Sequence, residues 1–168
     1  MDRPTLVIRD ATEDDVPGII AIRNQGIEDR YATLDTEPYT VAEGRAWFEA
    51  HDARHPILVA VDPETGAMAG WASLNVFNPR PGYRLVAELS VYVERAARAR
   101  GVGSQLLEAL LERARALGYH KVVLTAMAHN TAGRALYARF GFREVGIFKE
   151  QGLVDGRWVD TVIMEKIL

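Results

Sequence analysis

Apolar residues recur at helical steps in two stretches of the chain. Val16, Ile19, Ile20, Ile22 and Ile27, with Arg23 among them, predict one amphipathic helix. Val102, Leu106, Leu107, Leu110, Leu111, Ala114 and Leu117 predict a longer one, beginning immediately after Gly103. Shorter runs rich in β-branched residues predict strands at 6–8, 56–61, 68–75 and 121–126. Val86, Leu89, Val91, Tyr92 and Val93 predict a mostly buried strand, with further strands at 142–148 and 157–168. Asp62-Pro-Glu-Thr-Gly66 and Asn78-Pro-Arg-Pro-Gly82 are turns by composition. The periodicity lapses from Asp29 to Pro38.

Capping signals sharpen the helix starts. Thr12 with Asp15, and Thr40 with Glu43, place a hydroxyl N-cap three residues before a carboxylate. The second of these opens a helix that carries Trp47 and Phe48 to about His51. Asn130 stands at the N-cap of a short helix to Arg139, which Gly141 closes. The predicted order β-α-α-β-β-β-α-β-α-β-β, with mostly antiparallel early strands, fits one α+β domain over 1–168 with helices on both faces of a sheet.

Between the central strand and the long helix lies Arg98-Ala-Arg-Gly101-Val-Gly103. The first N–H groups of a helix lack intrahelical acceptors, and the dipole there favours an anion. Gly101 and Gly103 let backbone approach a diphosphate, and Arg98 and Arg100 can add charge-assisted bonds. The spacing is neither Gly-x-Gly-x-x-Gly nor a P-loop. A tight turn with solvated arginines is the other reading of this hexapeptide taken alone.

Composition removes several classes. The chain has 168 residues, of which 48% are hydrophobic and 26% charged, as in soluble globular domains. A formal net charge of −3 argues against a general nucleic-acid binder. With no cysteine there is no disulfide, thiolate nucleophile or thiolate metal site. No apolar run approaches the length of a membrane span, so the default expectation is cytoplasmic with no membrane partner. His51 and His55 lie four apart near a helix end but lack a third ligand, and no metal is expected.

Arg-x-x-Gly-x-Gly after a strand resembles the coenzyme A pyrophosphate loop of the GNAT superfamily of acetyl-coenzyme A-dependent N-acetyltransferases. A second motif, Asn130 followed by Leu136-Tyr137 and Gly141-Phe142, occurs in the order that superfamily uses, and the predicted element order is that of the GNAT fold. The resemblance implies acetyl-CoA as co-substrate. It places Val91, Tyr92 and Val93 along the pantetheine, and Arg98, Ala99, Arg100, Gly101, Val102, Gly103 and Ser104 around the pyrophosphate. Asn130 would contact pantetheine or a water, and Tyr137 would be the general acid near the thioester sulfur. Without the resemblance, Asn130 reads as a plain N-cap and Tyr137 as a packed aromatic.

The chemistry needs an amine to lose a proton, attack a thioester carbonyl and expel a thiolate. An α-amine with a pKa near 8 is about 1.4 kcal/mol from its neutral form at pH 7, against roughly 4.6 kcal/mol for a lysine-type amine. A carboxylate acting through water is enough for the former, and Glu88 is the candidate base. A solvated or ion-paired strand-end carboxylate is the equal alternative. An exposed backbone N–H around Leu89 to Val91 would hold the carbonyl oxygen if the strand is bulged or splayed.

Three stretches narrow the branch: Tyr31-Ala-Thr-Leu-Asp-Thr-Glu37-Pro38, Asn78-Pro-Arg80-Pro-Gly-Tyr83-Arg84 before Glu88-Leu-Ser-Val-Tyr-Val93, and Gly156-Arg-Trp158. Together they resemble the phosphinothricin and methionine sulfone or sulfoximine N-acetyltransferases. That branch implies a small amino acid analogue as acceptor, held near Glu37, Asn78, Arg80, Tyr83, Glu88, Leu89 and Ser90, and a homodimer through the 29–38 segment or the C-terminal strand. Leu89 and Tyr137 stand where many members have His, Ala99 where many have Gly, and the Lys-Phe-Gly run common before Arg-Trp is absent. Other acceptors (a polyamine, an aminoglycoside, a protein N-terminus) and a non-catalytic acetyl-CoA sensor remain the alternatives.

Overall fold

The computed structural model describes residues 3–168. Seven strands form one sheet: β1 (Val7–Asp10), β2 (Ile57–Val61), β3 (Met68–Val76), β4 (Val86–Val93), β5 (Lys121–Met127), β6 (Arg143–Val154) and β7 (Arg157–Ile167). Their spatial order is β1-β2-β3-β4-β5-β7-β6. Every neighbouring pair is antiparallel except β4 with β5. The helices are α1 (Val16–Glu28), α2 (Val41–Glu49), α3 (Val102–Ala116) and α4 (Thr131–Arg139). The predicted element order and the α+β class are both observed.

Alternation along the strands builds two cores. Leu58, Ala60, Ala72, Leu74, Ala87 and Leu89 face α3, whose Val102, Leu106, Leu107, Leu110, Leu111 and Ala114 are all buried there. Ile57, Val59 and Trp71 face the other way, against Ile19 and Ile22 of α1 and Trp47 and Phe48 of α2. Since β2 and β3 bury both faces, their sequences read as continuous apolar runs rather than alternating ones. The capping boxes form as expected. The Thr40 amide donates to the Glu43 carboxylate at 2.9 Å and Thr40 Oγ1 accepts from the Glu43 amide at 3.1 Å. The Thr12 amide donates to Asp15 at 2.7 Å, which opens a short 3-10 turn ahead of α1.

Three expectations shift. β1 runs two residues further than 6–8, carried by its ladder to β2. β4 buries only Ala87 and Leu89 fully, because the rest of the strand borders a cleft. β6 continues to Val154 instead of stopping at Phe148: Asp155 (φ 50°) and Gly156 (φ 75°) form a two-residue hairpin turn with both residues left-handed, so β6 pairs with β7 on both sides of a bulge near Glu150.

The α1–α2 crossing depends on Gly44, the buried residue of α2. A Cβ there would lie 2.2 Å from Ile20 Cγ1, and a β-branched side chain in a packed helix has no alternative rotamer to retreat to. Gly44→Ala is therefore expected to destabilise the fold by about 1–3 kcal/mol, read as a lower urea midpoint with an unchanged m-value. An unchanged midpoint would show that the two helices slide apart freely.

Candidate active site

The site begins where β4 leaves β5. β4 stays paired to β3 over its whole length, from Ala87–Val76 to Val93–Gly70. It pairs to β5 only at Val86–Lys121, Ala87–Val122 and Glu88–Val123. The Glu94 amide donates to the Ala69 carbonyl at 2.8 Å, and the Leu85 carbonyl accepts from His120 on the opposite side at 2.9 Å. Backbone alternation then turns the polar groups of Leu89, Val91 and Val93 toward the side that β5 has left. This is the splay anticipated around Leu89 to Val91.

A cavity of about 300 Å³ fills the gap. Glu88, Leu89, Ser90, Val91 and Tyr92 form one wall, Thr125, Ala126 and Met127 of β5 the other, and Asn130, Tyr137 and Thr161 close the α4 side. Arg23 of α1 and residues 31–34 close the remaining side. That segment is held firmly. Asn24 and Tyr39 exchange hydrogen bonds of 3.0 and 2.8 Å, Arg30 pairs with Asp155 at 3.0 Å, and Leu34 packs on Gly152.

Glu88 is half-buried, and no hydrogen bond or ion pair engages its carboxylate among the described residues. Burial alone pushes its pKa up. Tyr137 is buried against Phe142, and burial also pushes its phenol up, so it remains protonated at neutral pH. Asn130 caps α4 through its Oδ1, 3.0 Å from the Gly133 amide, as anticipated, and also faces the cavity.

Beyond the open end of β4, Gly101 is the left-handed N-cap of α3 (φ 83°), so the first amides of that helix stand free of intrahelical acceptors. The helix starts at Val102, two residues earlier than expected. Gly103 serves packing as well: a Cβ there would sit 3.1 Å from Leu136 of α4. Ala99 is left-handed at φ 61°, a conformation natural to glycine. Arg98 donates from Nη1 to Asp29 at 2.6 Å and lies over the Tyr31 ring at 4.6 Å, while its Nε and Nη2 are buried with no partner. Arg100 is exposed. Arg95 binds the same Asp29 at 2.9 Å, and Gln25 donates to Glu94 at 3.1 Å, so the end of α1 clamps the glycine loop.

The 78–84 turn stands apart from this cavity. Arg80, Tyr83 and Arg84 are exposed; Asn78 accepts from the Arg80 amide at 3.0 Å, and Tyr83 packs edge-on to Phe77. Glu37 is exposed and borders a separate hollow with Thr36, Pro38 and Glu43. A third hollow holds Asp10, Asp52, His55 and Arg113, whose charges pair among themselves at 2.8 Å (Asp10–Arg113) and 2.7 Å (Asp52–His55). His51 is not solvated: Nδ1 meets the Trp47 carbonyl at 2.8 Å and Nε2 meets Asn75 at 2.9 Å. Asn75 in turn donates to Ser90 at 3.1 Å.

Sequence reasoning passed over Arg23, Thr161, Asp29 and Gln25. Arg23 did carry a signal, since a cation on the apolar stripe of α1 needs a reason to be there. Thr161 and Asp29 carried none, because their importance comes from elements distant in sequence.

A parallel pair that splays after three residues therefore lies next to a helix start with free amides. A family model described as "Acetyltransferase (GNAT) family" matches residues 21–142. The chain belongs to the GNAT acetyltransferase family. It is 41% identical over 159 residues, 94% of this chain and 92% of the relative, to an L-methionine sulfoximine/L-methionine sulfone acetyltransferase of Pseudomonas paraeruginosa. It is 33% identical over 163 residues (96% and 95%) to a phosphinothricin N-acetyltransferase of Streptomyces coelicolor. A GNAT-superfamily phosphinothricin acetyltransferase from Sinorhizobium meliloti, solved in complex with AcCoA, superposes with a TM-score of 0.92 at 32% identity, covering 98% of this chain and 89% of its own.

Proposed function

We propose that this protein transfers the acetyl group of acetyl-CoA directly to the primary amine of a small amino acid analogue of the phosphinothricin or methionine sulfone/sulfoximine type. The observation that carries the reading is the cavity between β4 and β5. It joins an unpaired strand edge, an unpartnered carboxylate and a buried phenol in one place. The relatives named above supply the substrate class.

The residues present fit the co-substrate. Arg98 has two orphaned buried nitrogens beside a helix start with free amides, which suits an anionic diphosphate. Arg98 to Ser104 would hold it, and Val91 to Val93 with Asn130 would meet the pantetheine arm. Acetyl-CoA supplies a thioester carbonyl. The backbone N–H groups on the open edge of β4 stabilise negative charge developing on an acyl oxygen. Glu88 takes the amine's proton through water. Tyr137 donates to the departing sulfur. With no cysteine in the chain, transfer runs without an acyl-cysteine intermediate.

Thiol release from acetyl-CoA, measured with phosphinothricin, methionine sulfone, common amino acids, spermidine and an aminoglycoside, tests the reading. Turnover is expected with the first two. Tight acetyl-CoA binding without turnover of any amine would move the protein to the sensor class. Because burial raises the Glu88 pKa, the acid limb of kcat/KM is expected above the ordinary glutamate value of about 4.3. Activity is lost as pH falls through that limb and the base becomes protonated. Glu88→Gln should lower kcat about 100-fold and flatten the limb, and Tyr137→Phe should lower kcat to a similar extent with little change in the KM for acetyl-CoA.

Arg98→Ala should weaken acetyl-CoA binding at least tenfold by titration calorimetry, since it removes the charge-assisted donors and loosens the Asp29 clamp. Unchanged affinity would leave the pyrophosphate to the backbone alone.

A homodimer belongs to the same proposal. Val145, Ile147, Phe148, Leu153 and Trp158 leave an exposed apolar face on the β6–β7 hairpin, with Trp158 61% accessible. Light scattering is expected to give twice the chain mass, and Trp158→Glu to give the monomer. A monomeric parent would overturn it.

A further inference from the structure

Among the residues lining the β4–β5 cavity there is one carboxylate, Glu88, and one cation, Arg23. Arg23 reaches the cavity from α1 at a position that otherwise belongs to the buried stripe, and its side chain is 14% exposed. Its guanidinium lies over Tyr39 at 4.1 Å and stands 6.0 Å from the centre of the Tyr92 ring. Nη2 alone makes the described hydrogen bonds, to Asp35 at 2.9 Å and the Tyr39 hydroxyl at 3.1 Å. Nε is buried with no partner. A second orphaned buried polar atom, Thr161 Oγ1, belongs to the same wall. Buried donors left unbonded are rare and costly, and two in one cavity wall point to a polar ligand there.

We infer that Arg23 is the anion-binding residue of the acceptor pocket, and so a specificity determinant for amines that carry a negatively charged or strongly polar oxygen group. The inference rests on the acetyl-transfer reading above. One fixed charge of each sign in a small, partly desolvated cavity complements a molecule with an ammonium and an oxyanion, and opposes one with only a positive charge. Tyr92 lies four residues beyond Glu88 on the same face of β4, about 13 Å of strand. The two charges are therefore spread along the cleft, as an acceptor longer than glycine requires. Asp35 pairs with Arg23 through Nη2 from the solvent side, with its own side chain 37% exposed, and leaves the Nε edge without a partner. The arginines of the 78–84 turn are exposed and absent from this wall.

The test compares kcat/KM for phosphinothricin, its α-carboxamide and its phosphinate methyl ester in the parent, in Arg23→Gln and in Asp35→Asn. In Arg23→Gln the value for phosphinothricin should fall about tenfold to a hundredfold, mostly through KM. The fall should be at least tenfold smaller for the derivative in which Arg23's partner group is neutralised. Asp35→Asn breaks the same internal ion pair without removing the guanidinium and should keep the parent's preference for the charged acceptor. Equal losses for all three acceptors in Arg23→Gln, or loss of discrimination in Asp35→Asn as well, would overturn the assignment and reduce Arg23 to a brace for the 29–38 segment. A parent that acetylates none of the three would instead refute the transfer reading itself, and this inference with it.

Discussion

The separation of β4 from β5 is the constraint on which the rest of the molecule depends. A parallel pair with a common start would ordinarily stay in register to its end, because each unmade ladder bond leaves a donor or acceptor exposed to its surroundings. Here each strand is held by something else. β4 is fixed to β3 along seven residues, to α3 through Leu89 and to Trp71 through Tyr92, whose rings stack at 4.7 Å. β5 is fixed to β7 along its whole length. The gap is thus the mismatch between two well-built halves of the sheet, and it persists without strain in either strand. What it leaves is a row of backbone groups that water or a ligand must satisfy.

Asp29 ties the two ends of that gap together. It terminates α1, accepts from Arg95 and Arg98 of the glycine loop, and immediately precedes the segment that walls the acceptor side. Both arginines hold its carboxyl below the usual aspartate range. Arg98 also covers Tyr31, a cavity-lining residue. A ligand that drew the Arg98 guanidinium toward a diphosphate would compete with Asp29 and shift the packing on Tyr31. The contacts that hold the glycine loop are therefore the same ones that shape the 31–34 wall of the cavity, which gives a physical route from one end of the gap to the geometry of the other.

Most of the fold was legible because local signals agreed with one another: helical apolar spacing in α1 and α3, hydroxyl–carboxylate caps at Thr12 and Thr40, and β-branched runs in β2 and β5. The helix starts at the glycine loop and at Asn130 were legible because their local structure is short-range, set by caps and strand ends. The extension of β6 was written in Asp155-Gly156, a hairpin dipeptide, but the bulge at Glu150 breaks the alternation that would have drawn the eye to it. The cavity wall was the least legible part. It is assembled from α1, the 29–38 segment, β4, β5 and Thr161 of β7, and no local pattern reports which of those side chains meet. Composition drew attention to the arginines of the 78–84 turn, whereas the cation in the cavity is Arg23, visible in sequence only as a charge on a buried stripe.

Glu88 and Tyr137 are both raised by burial, and the consequences differ. For the Glu88 carboxylate, a rise strengthens it as a base. For a phenol already near 10, a rise makes full proton release harder. A thiol has an ordinary pKa of about 8.5, so complete transfer of the Tyr137 proton to a departing thiolate runs uphill. In the reaction proposed above, Tyr137 would then serve as a hydrogen-bond donor to the departing sulfur, with the proton following from solvent. A buried tyrosine meets that demand across the whole neutral range, where a histidine would titrate and lose its proton. The apolar surroundings that Phe142 and Leu136 provide keep the Tyr137 phenol protonated.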